Sequence, residues 1–214
     1  MSDFTGSGAF VKICGVTNVR DAVAVADAGA SAVGVILTTS ARRVDVEEAR
    51  AITEAVSGRL VRVAVVDSRD LESLNAIFAG VGADVVQVHG ELSTDLLRAL
   101  HSENIGVIKA LSIGTPEFTV FDDTVVDAVL IDGPVPGSGR AHSFTALGLR
   151  SFTRPVIAAG GLTPDSVADA IDTLDVWGVD VSSGVESATG VKDAERVREF
   201  IVAARRSFER RVTL

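Results

Sequence analysis

The sequence predicts a (β/α)8 TIM barrel of the α/β class, and three features point to it. Eight short runs rich in Val, Ile and Leu recur along the 214 residues. They start about 20–28 residues apart, which suits a strand plus a crossover helix. The runs are too apolar to keep one wet face, as expected of parallel strands covered on both sides. The first run ends in Cys14-Gly15-Val16-Thr17, without the G-x-G-x-x-G that an open nucleotide-binding sheet places there. Eight such units in about 210 residues fit a barrel near the lower size limit of its class.

FVKIC from Phe10 is the first expected strand and AVGVIL from Ala32 the second. Gly29 sits where the helix between them should stop, since glycine takes up the left-handed turn at a helix end. Asp45 is placed to cap the next helix, with Glu47 and Glu48 in a first turn that favours negative charge. Gly58 ends it. LVRVAVV from Leu60, DVVQVHG from Asp84, VIKAL from Val107 and DAVLID from Asp127 are the third to sixth strands. PVIAAGG from Pro155 is the seventh. Thr163-Pro164 after it reads as a capping hydroxyl and a proline at the first helical position. Val167, Ala170, Ile171 and Leu174 then form one apolar stripe at helical spacing. WGVDVSSG from Trp177 is the eighth strand. The last helix, from about Asp193, ends in Arg205, Arg206, Arg210 and Arg211, where cations offset its dipole. Residues 1–9 read as a flexible N-terminal arm and residues 10–214 as one barrel domain.

Composition narrows the function. Twenty Lys and Arg against 29 Asp and Glu give a net charge of −9, the wrong sign for a nucleic-acid groove or an anionic membrane surface. Apolar residues make up 47% of the chain, enough for a large core. One cysteine excludes an internal disulfide framework and a Cys-rich zinc site. His89, His101 and His142 lie far apart, so no metal site is expected. No apolar run approaches the roughly 18 residues of a membrane span. MSDFTGSGA lacks the basic and apolar segments of a signal peptide. An acidic, soluble, cytoplasmic globular domain follows, with no nucleic-acid or membrane partner.

In such a barrel the active site lies at the C-terminal ends of the strands. There the sequence places Cys14, His89-Gly90-Glu91, Asp132, Gly160-Gly161 and Ser182-Ser183-Gly184, with Arg42 and Arg43 in the loop after the second strand. Small-residue turns after the seventh and eighth strands occupy the phosphate position of the fold, where backbone N–H groups hold a dianion. Asp132 is either a turn-forming carboxylate or a half-buried acid with a raised pKa. Cys14 is either a small buried hydrophobe or a thiolate base. An arginine of the second loop suits a carboxylate. His89 either is a satisfied core histidine or lines the pocket. Lys12, Asp84, Lys109 and Asp180 are charges inside apolar strands, which must pair when buried. For Lys12 and Asp180, near the mouth, plain pairing and tuning of the site are both open.

At these residues the sequence resembles the phosphoribosylanthranilate isomerase family. The motifs are VKICGVT from Val11, VQVHGE from Val86, VLIDG from Val129 with GSGR from Gly137, AAGGLTPDSV from Ala158 and VDVSSGVE from Val179. They run in this order over nearly the whole chain. The resemblance implies a cofactor-free Amadori rearrangement in tryptophan biosynthesis, with Cys14 as general base and Asp132 as general acid. It gives Arg43 the anthranilate carboxylate, and Gly160, Gly161, Ser182, Ser183 and Gly184 the phosphate end of the substrate. The Gly137, Ser138 and Gly139 loop would close over it, and His89 and Asp180 would complete the pocket. The loop LTTSARRVD departs from the family pattern, which keeps Arg42 as the alternative to Arg43. Either a monomer or a homodimer is expected. The alternatives are a histidine-pathway or dual-substrate isomerase of the same chemistry, and a non-catalytic barrel that binds a sugar phosphate.

Overall fold

The computed structural model describes residues 4–5, 9–78, 80–133, 152–174 and 176–212. Eight parallel strands close into a barrel in sequence order, the last pairing with the first. They are β1 (Phe10–Cys14), β2 (Ala32–Ile36), β3 (Val61–Asp67), β4 (Val85–His89), β5 (Gly106–Ser112), β6 (Ala128–Asp132), β7 (Val156–Ala159) and β8 (Gly178–Val181). Six lie within the runs named from the sequence, β3 runs one residue past the end of its run and β5 one residue past each end. Helices α1 (Val19–Asp27), α2 (Val46–Ala55), α3 (Leu71–Phe78), α4 (Thr94–Ser102), α5 (Pro116–Val120), α6 (Val167–Thr173) and α7 (Ala194–Val212) alternate with them. A small antiparallel hairpin, β9 (Glu186–Ala188) and β10 (Val191–Lys192), follows β8. Sequence reading did not foresee it. Among the described residues no helix is long and apolar enough to cross a membrane.

The two-residue period of a strand sorts the side chains into two cores. Phe10, Ala32, Val63, Val85, Ile108, Ala128, Leu130 and Ile157 fill the barrel, while Val11, Ile13, Val33, Val35 and their like pack outward under the helices. At the N-terminal ends of the strands Trp177 stacks on Phe10 with centroids 4.6 Å apart, and Phe4 packs against both rings. Of the segment read as an arm, Phe4 is therefore a packed residue. At the opposite ends the interior turns polar.

The helix boundaries follow their local chemistry. Asp45 accepts from the Glu48 N–H while the Glu48 side chain accepts from the Asp45 N–H, a reciprocal cap for α2. Gly29 and Gly58 have φ of 83° and 73°, the conformation expected past a helix end. The start of α6 differs from the sequence reading. Thr163 and Ser166 bond each other in a turn, and the helix begins only at Val167. The apolar stripe from Val167 to Leu174 is buried as expected. The arginines of α7 reach neighbouring chain ends: Arg205 donates to the Gly29 carbonyl, Arg211 to the carbonyls of Ile171, Leu174 and Val176, and Arg210 pairs with Asp172. Exposed carbonyls at helix ends are natural partners for such cations.

Candidate active site

Alternation along β1 turns Lys12 and Cys14 to the same inner face, one above the other. Gly34 lies opposite Cys14 on β2. A Cβ there would come within 2.9 Å of the Cys14 Sγ and 3.2 Å of the Lys12 Cε, so the glycine makes room for both. Lys12 is wholly buried, and its Nζ lies 2.9 Å from the Asp180 Oδ1, directly across the β1–β8 pairing. Burial works against the ammonium, but Asp180 and then Cys14 outweigh it and hold Lys12 above its ordinary pKa. Burial pushes the Cys14 thiol up; Lys12 pulls it down and Asp180 pushes it up again, leaving it raised. The sulfur is therefore a thiol at rest, with a cation beside it for the moment it ionises.

Asp132 ends β6 and is half-buried. Burial and then the nearby charge of Asp180 push its carboxyl up, against a backbone hydrogen bond from Gly133. Gly160, at φ 96°, lies against it. A Cβ at that position would sit 2.4 Å from the Gly133 nitrogen and 2.7 Å from the Asp132 Oδ1. Only glycine lets the turn after β7 close onto the acid. Cys14 and Asp132 line one cavity of about 240 Å3, together with Asp180, Gln87 and His89. The Gln87 Nε2 is 3.0 Å from the His89 Nε2, and burial followed by the charges of Lys12 and Lys109 lowers the His89 pKa, so the imidazole is neutral.

The opposite wall is made by the turns after β7 and β8. Gly160, Gly161, Ser182 and Ser183 line it. Gly184 does not. It lies where the two turns touch, its absent Cβ only 1.9 Å from the Leu162 carbonyl oxygen. Gly137, Ser138 and Gly139 fall outside the described residues. Lys109 is remote in role: wholly buried, it pairs with Glu117 at 2.8 Å and faces the Phe121 ring.

The structure separates the two candidate arginines. Val44 donates to the Ile36 carbonyl and Arg43 bridges to Ile36, so this stretch runs extended beside the end of β2. Arg42, one residue earlier, lies in the turn closed by the Arg43 N–H on the Ser40 carbonyl. Arg42 turns into the cavity of Cys14 and Asp132; Arg43 turns outward, to the Leu37 carbonyl and to Glu72 in the first turn of α3. The structure does not bring Arg43 to the site. Gly15 assists the inward turn, because a Cβ there would meet the Arg42 Cδ at 2.6 Å and the Ser182 Oγ at 2.9 Å. Sequence reasoning missed Gly15 and Gly34, whose meaning depends on what faces them, and Glu186 and Lys192, which sit on the unforeseen hairpin.

Residues 11–203 match the family model described as N-(5'-phosphoribosyl)anthranilate (PRA) isomerase. The chain belongs to the N-(5'-phosphoribosyl)anthranilate isomerase family. It is 37% identical over 204 residues to the N-(5'-phosphoribosyl)anthranilate isomerase of Haloferax volcanii, covering 91% of this chain and 92% of that one. The crystal structure of TrpF from Jonesia denitrificans superposes with a TM-score of 0.82 at 35% identity, covering 94% and 98% of the two chains. A phosphoribosyl anthranilate isomerase in complex with reduced 1-(o-carboxyphenylamino)-1-deoxyribulose 5-phosphate superposes at 0.73 with 31% identity, covering 92% and 98% of the two chains. Membership of the isomerase family gives scale to a second cavity on the same mouth. It has about 560 Å3 and shares Ile36, Val65 and His89 with the first. Its polar wall includes Asp67, whose carboxyl is held down to about 2 by hydrogen bonds from Arg69.

Proposed function

We propose that this mouth converts N-(5'-phosphoribosyl)anthranilate to 1-(2-carboxyphenylamino)-1-deoxyribulose 5-phosphate, the isomerisation for which the family is named. The observation that carries the reading is the shared cavity of Cys14 and Asp132, with the buried Lys12–Asp180 pair between them. Asp132, whose hold on its proton is strengthened by burial and by Asp180, gives that proton to the ring oxygen of the sugar as the bond from that oxygen to the anomeric carbon breaks. The product of that step is an open Schiff base between the sugar and the aromatic amine. The Cys14 thiolate then removes the proton on the second sugar carbon, and Lys12 stabilises the charge on sulfur before transfer. The resulting enolamine tautomerises to the ketone. The second sugar carbon is oxidised as the first is reduced, so no outside oxidant is needed, and the proton lost by Asp132 is balanced by the one Cys14 takes. A positioned acid and base of this kind each contribute about 10²–10⁴-fold.

The turns of Gly160-Gly161 and Ser182-Ser183 are assigned the phosphate, and Arg42 the ring carboxylate, which a guanidinium grips through two parallel hydrogen bonds. His89 and Asp180 complete the wall. The reported relatives that name a substrate name the anthranilate one, so the histidine-pathway alternative is not favoured. A barrel that merely bound a sugar phosphate would not need the acid and the thiol in one cavity. As part of the same reading we infer a cytoplasmic enzyme acting as a monomer or a homodimer; a relative from Thermotoga maritima is described as dimeric. The test is direct. Anthranilate is a fluorophore, so consumption of the phosphoribosylated substrate reads out as a change in emission. Purified protein that leaves the emission unchanged overturns the reading.

A further inference from the structure

The acid, the base and the phosphate turns leave one buried charge cluster at the mouth unused. Arg42 donates from both Nε and Nη2 to the Glu186 carboxylate, each at 2.7 Å. Lys192 Nζ lies 2.8 Å from the Glu186 Oε1 and also donates to the Ser182 carbonyl at 3.2 Å. The Glu186 and Lys192 side chains are 5% and 2% exposed. A buried ion pair is weak evidence for stability, because desolvation offsets most of its attraction. The question is therefore what the cluster holds in place.

We propose that Glu186, itself held by Lys192, is the positioning residue that aims Arg42 at the anionic aromatic end of the substrate. The inference rests on the isomerase reading and on Arg42 as its carboxylate clamp. A guanidinium offers two edges for paired hydrogen bonds. Glu186 takes the edge formed by Nε and Nη2, which leaves the edge bearing Nη1 for a second carboxylate. The hairpin that carries Glu186 and Lys192 is itself fixed. Thr17 Oγ1 donates to the Gly190 carbonyl at 2.7 Å, and the Lys192 backbone N–H donates to Asp21 Oδ2 at 2.8 Å. Both anchors lie in the segment that follows Cys14. The clamp thus ties the loops after β1, β2 and β8 to one carboxylate. Burial lowers the Lys192 pKa, against Glu186 and then Cys14. Glu186→Gln keeps the shape of the side chain and removes the charge that holds the guanidinium edge. The expected loss is one of position.

The experiment titrates two ligands: reduced 1-(o-carboxyphenylamino)-1-deoxyribulose 5-phosphate, and the same compound without its ring carboxylate. Immobilising one long side chain in advance is worth about three- to tenfold in affinity. Glu186→Gln is expected to weaken the carboxylated ligand by about that factor and to leave the decarboxylated one within about twofold. The change should add nothing in an Arg42→Ala background, and Glu186→Asp should recover part of the loss. In steady state KM should rise while kcat holds. Equal weakening of both ligands, or a full effect without Arg42, overturns the proposal and leaves Glu186 a structural residue. If Arg42→Ala alone spares the carboxylated ligand, the clamp assignment fails first and the proposal with it, while turnover by fluorescence still tests the isomerase reading separately. Should Glu186→Gln fail to fold, Glu186→Gln/Lys192→Met removes both buried charges together and is held to the same ligand-selective loss.

Discussion

Substituting Gly184 with alanine gives the sharpest steric test of the phosphate turns. The new Cβ would lie 1.9 Å from the Leu162 carbonyl oxygen, 2.9 Å from the carbonyl carbon and 3.2 Å from the Thr163 Cα. A close carbon–oxygen contact is about 3.3 Å, so the shortfall is about 1.4 Å. All three obstructing atoms are backbone, so no side chain can swing away. The turns after β7 and β8 must part by on the order of 1 Å, a displacement that costs about 100-fold when it falls on reacting or binding groups. Overpacking adds about 1–3 kcal/mol of destabilisation. Gly29→Ala is the control. At φ 83°, with nothing within 4 Å of its Cβ, it carries only backbone strain, about 1–2 kcal/mol, at the end of α1. Steady-state kinetics with inorganic phosphate as competitor, alongside thermal melts, separates the two. Gly184→Ala should raise KM and weaken phosphate inhibition by about 10–100-fold, whereas Gly29→Ala should lose comparable stability with KM intact. A folded Gly184→Ala enzyme with KM and phosphate inhibition within about twofold of the parent would refute the placement of the phosphate.

Cys14→Ser and Asp132→Asn should each lower kcat by about 10²–10⁴-fold with KM little changed, since each removes a transfer made in the transition state; a folded variant within about tenfold of the parent kcat removes that residue from the mechanism. Arg42→Ala should raise KM for the carboxylated substrate by about tenfold or more, the worth of a charge-assisted hydrogen bond, while the outward-facing Arg43→Ala leaves it alone; the opposite pattern restores Arg43 to the site. The pH dependence follows from two raised groups. Asp132 must hold its proton, so activity falls as pH rises through its raised pKa; Cys14 must lose one, so activity grows toward its raised pKa. With the thiol still the weaker acid, the working pair is a minority form, and the acidic limb of a bell-shaped profile tracks Asp132 while the basic limb tracks Cys14. The chain has one cysteine and no tyrosine, so ultraviolet absorbance of the thiolate reports Cys14 without tyrosinate overlap. Its midpoint should fall on the basic limb, and a midpoint on the acidic limb reverses the assignment.

What the sequence made legible follows from which signals are local. A barrel strand is buried on both faces, so β1 to β8 each announce themselves as apolar runs, and the residues that end them are marked as candidates. Cys14 and Asp132 could be named that way. The α2 cap was legible for the same reason, since Asp45 and Glu48 meet within one turn. The start of α6 was not, because Thr163-Pro164 fits a tight turn as well as a first helical turn, and the Thr163–Ser166 bonds select the turn. Arg42 and Arg43 are equivalent in composition, and only the Ser40–Arg43 turn and the bridge to Ile36 that follows it set which one points inward. The β9–β10 hairpin gives almost no periodic signal, being three residues against two. Its Glu186 and Lys192 carry no local mark that sets them apart from loop charges, yet both are buried, with Glu186 bonded to Arg42 and Lys192 to Glu186.

The pair formed by Lys12 and Asp180 belongs to neither kind of signal alone. Each was visible as a charge in an apolar strand, but they are 168 residues apart and meet only because the barrel closes β8 onto β1. Closure also gives the pair its consequence. Asp180 raises both the thiol and the acid, while Lys12 lowers the thiol, so one ion pair acts on both proton-transfer groups at once. The acid and the base are therefore coupled through the barrel interior. A substitution at Asp180 must shift both limbs of the pH profile, whereas one at Asp132 leaves the thiol's surroundings in place.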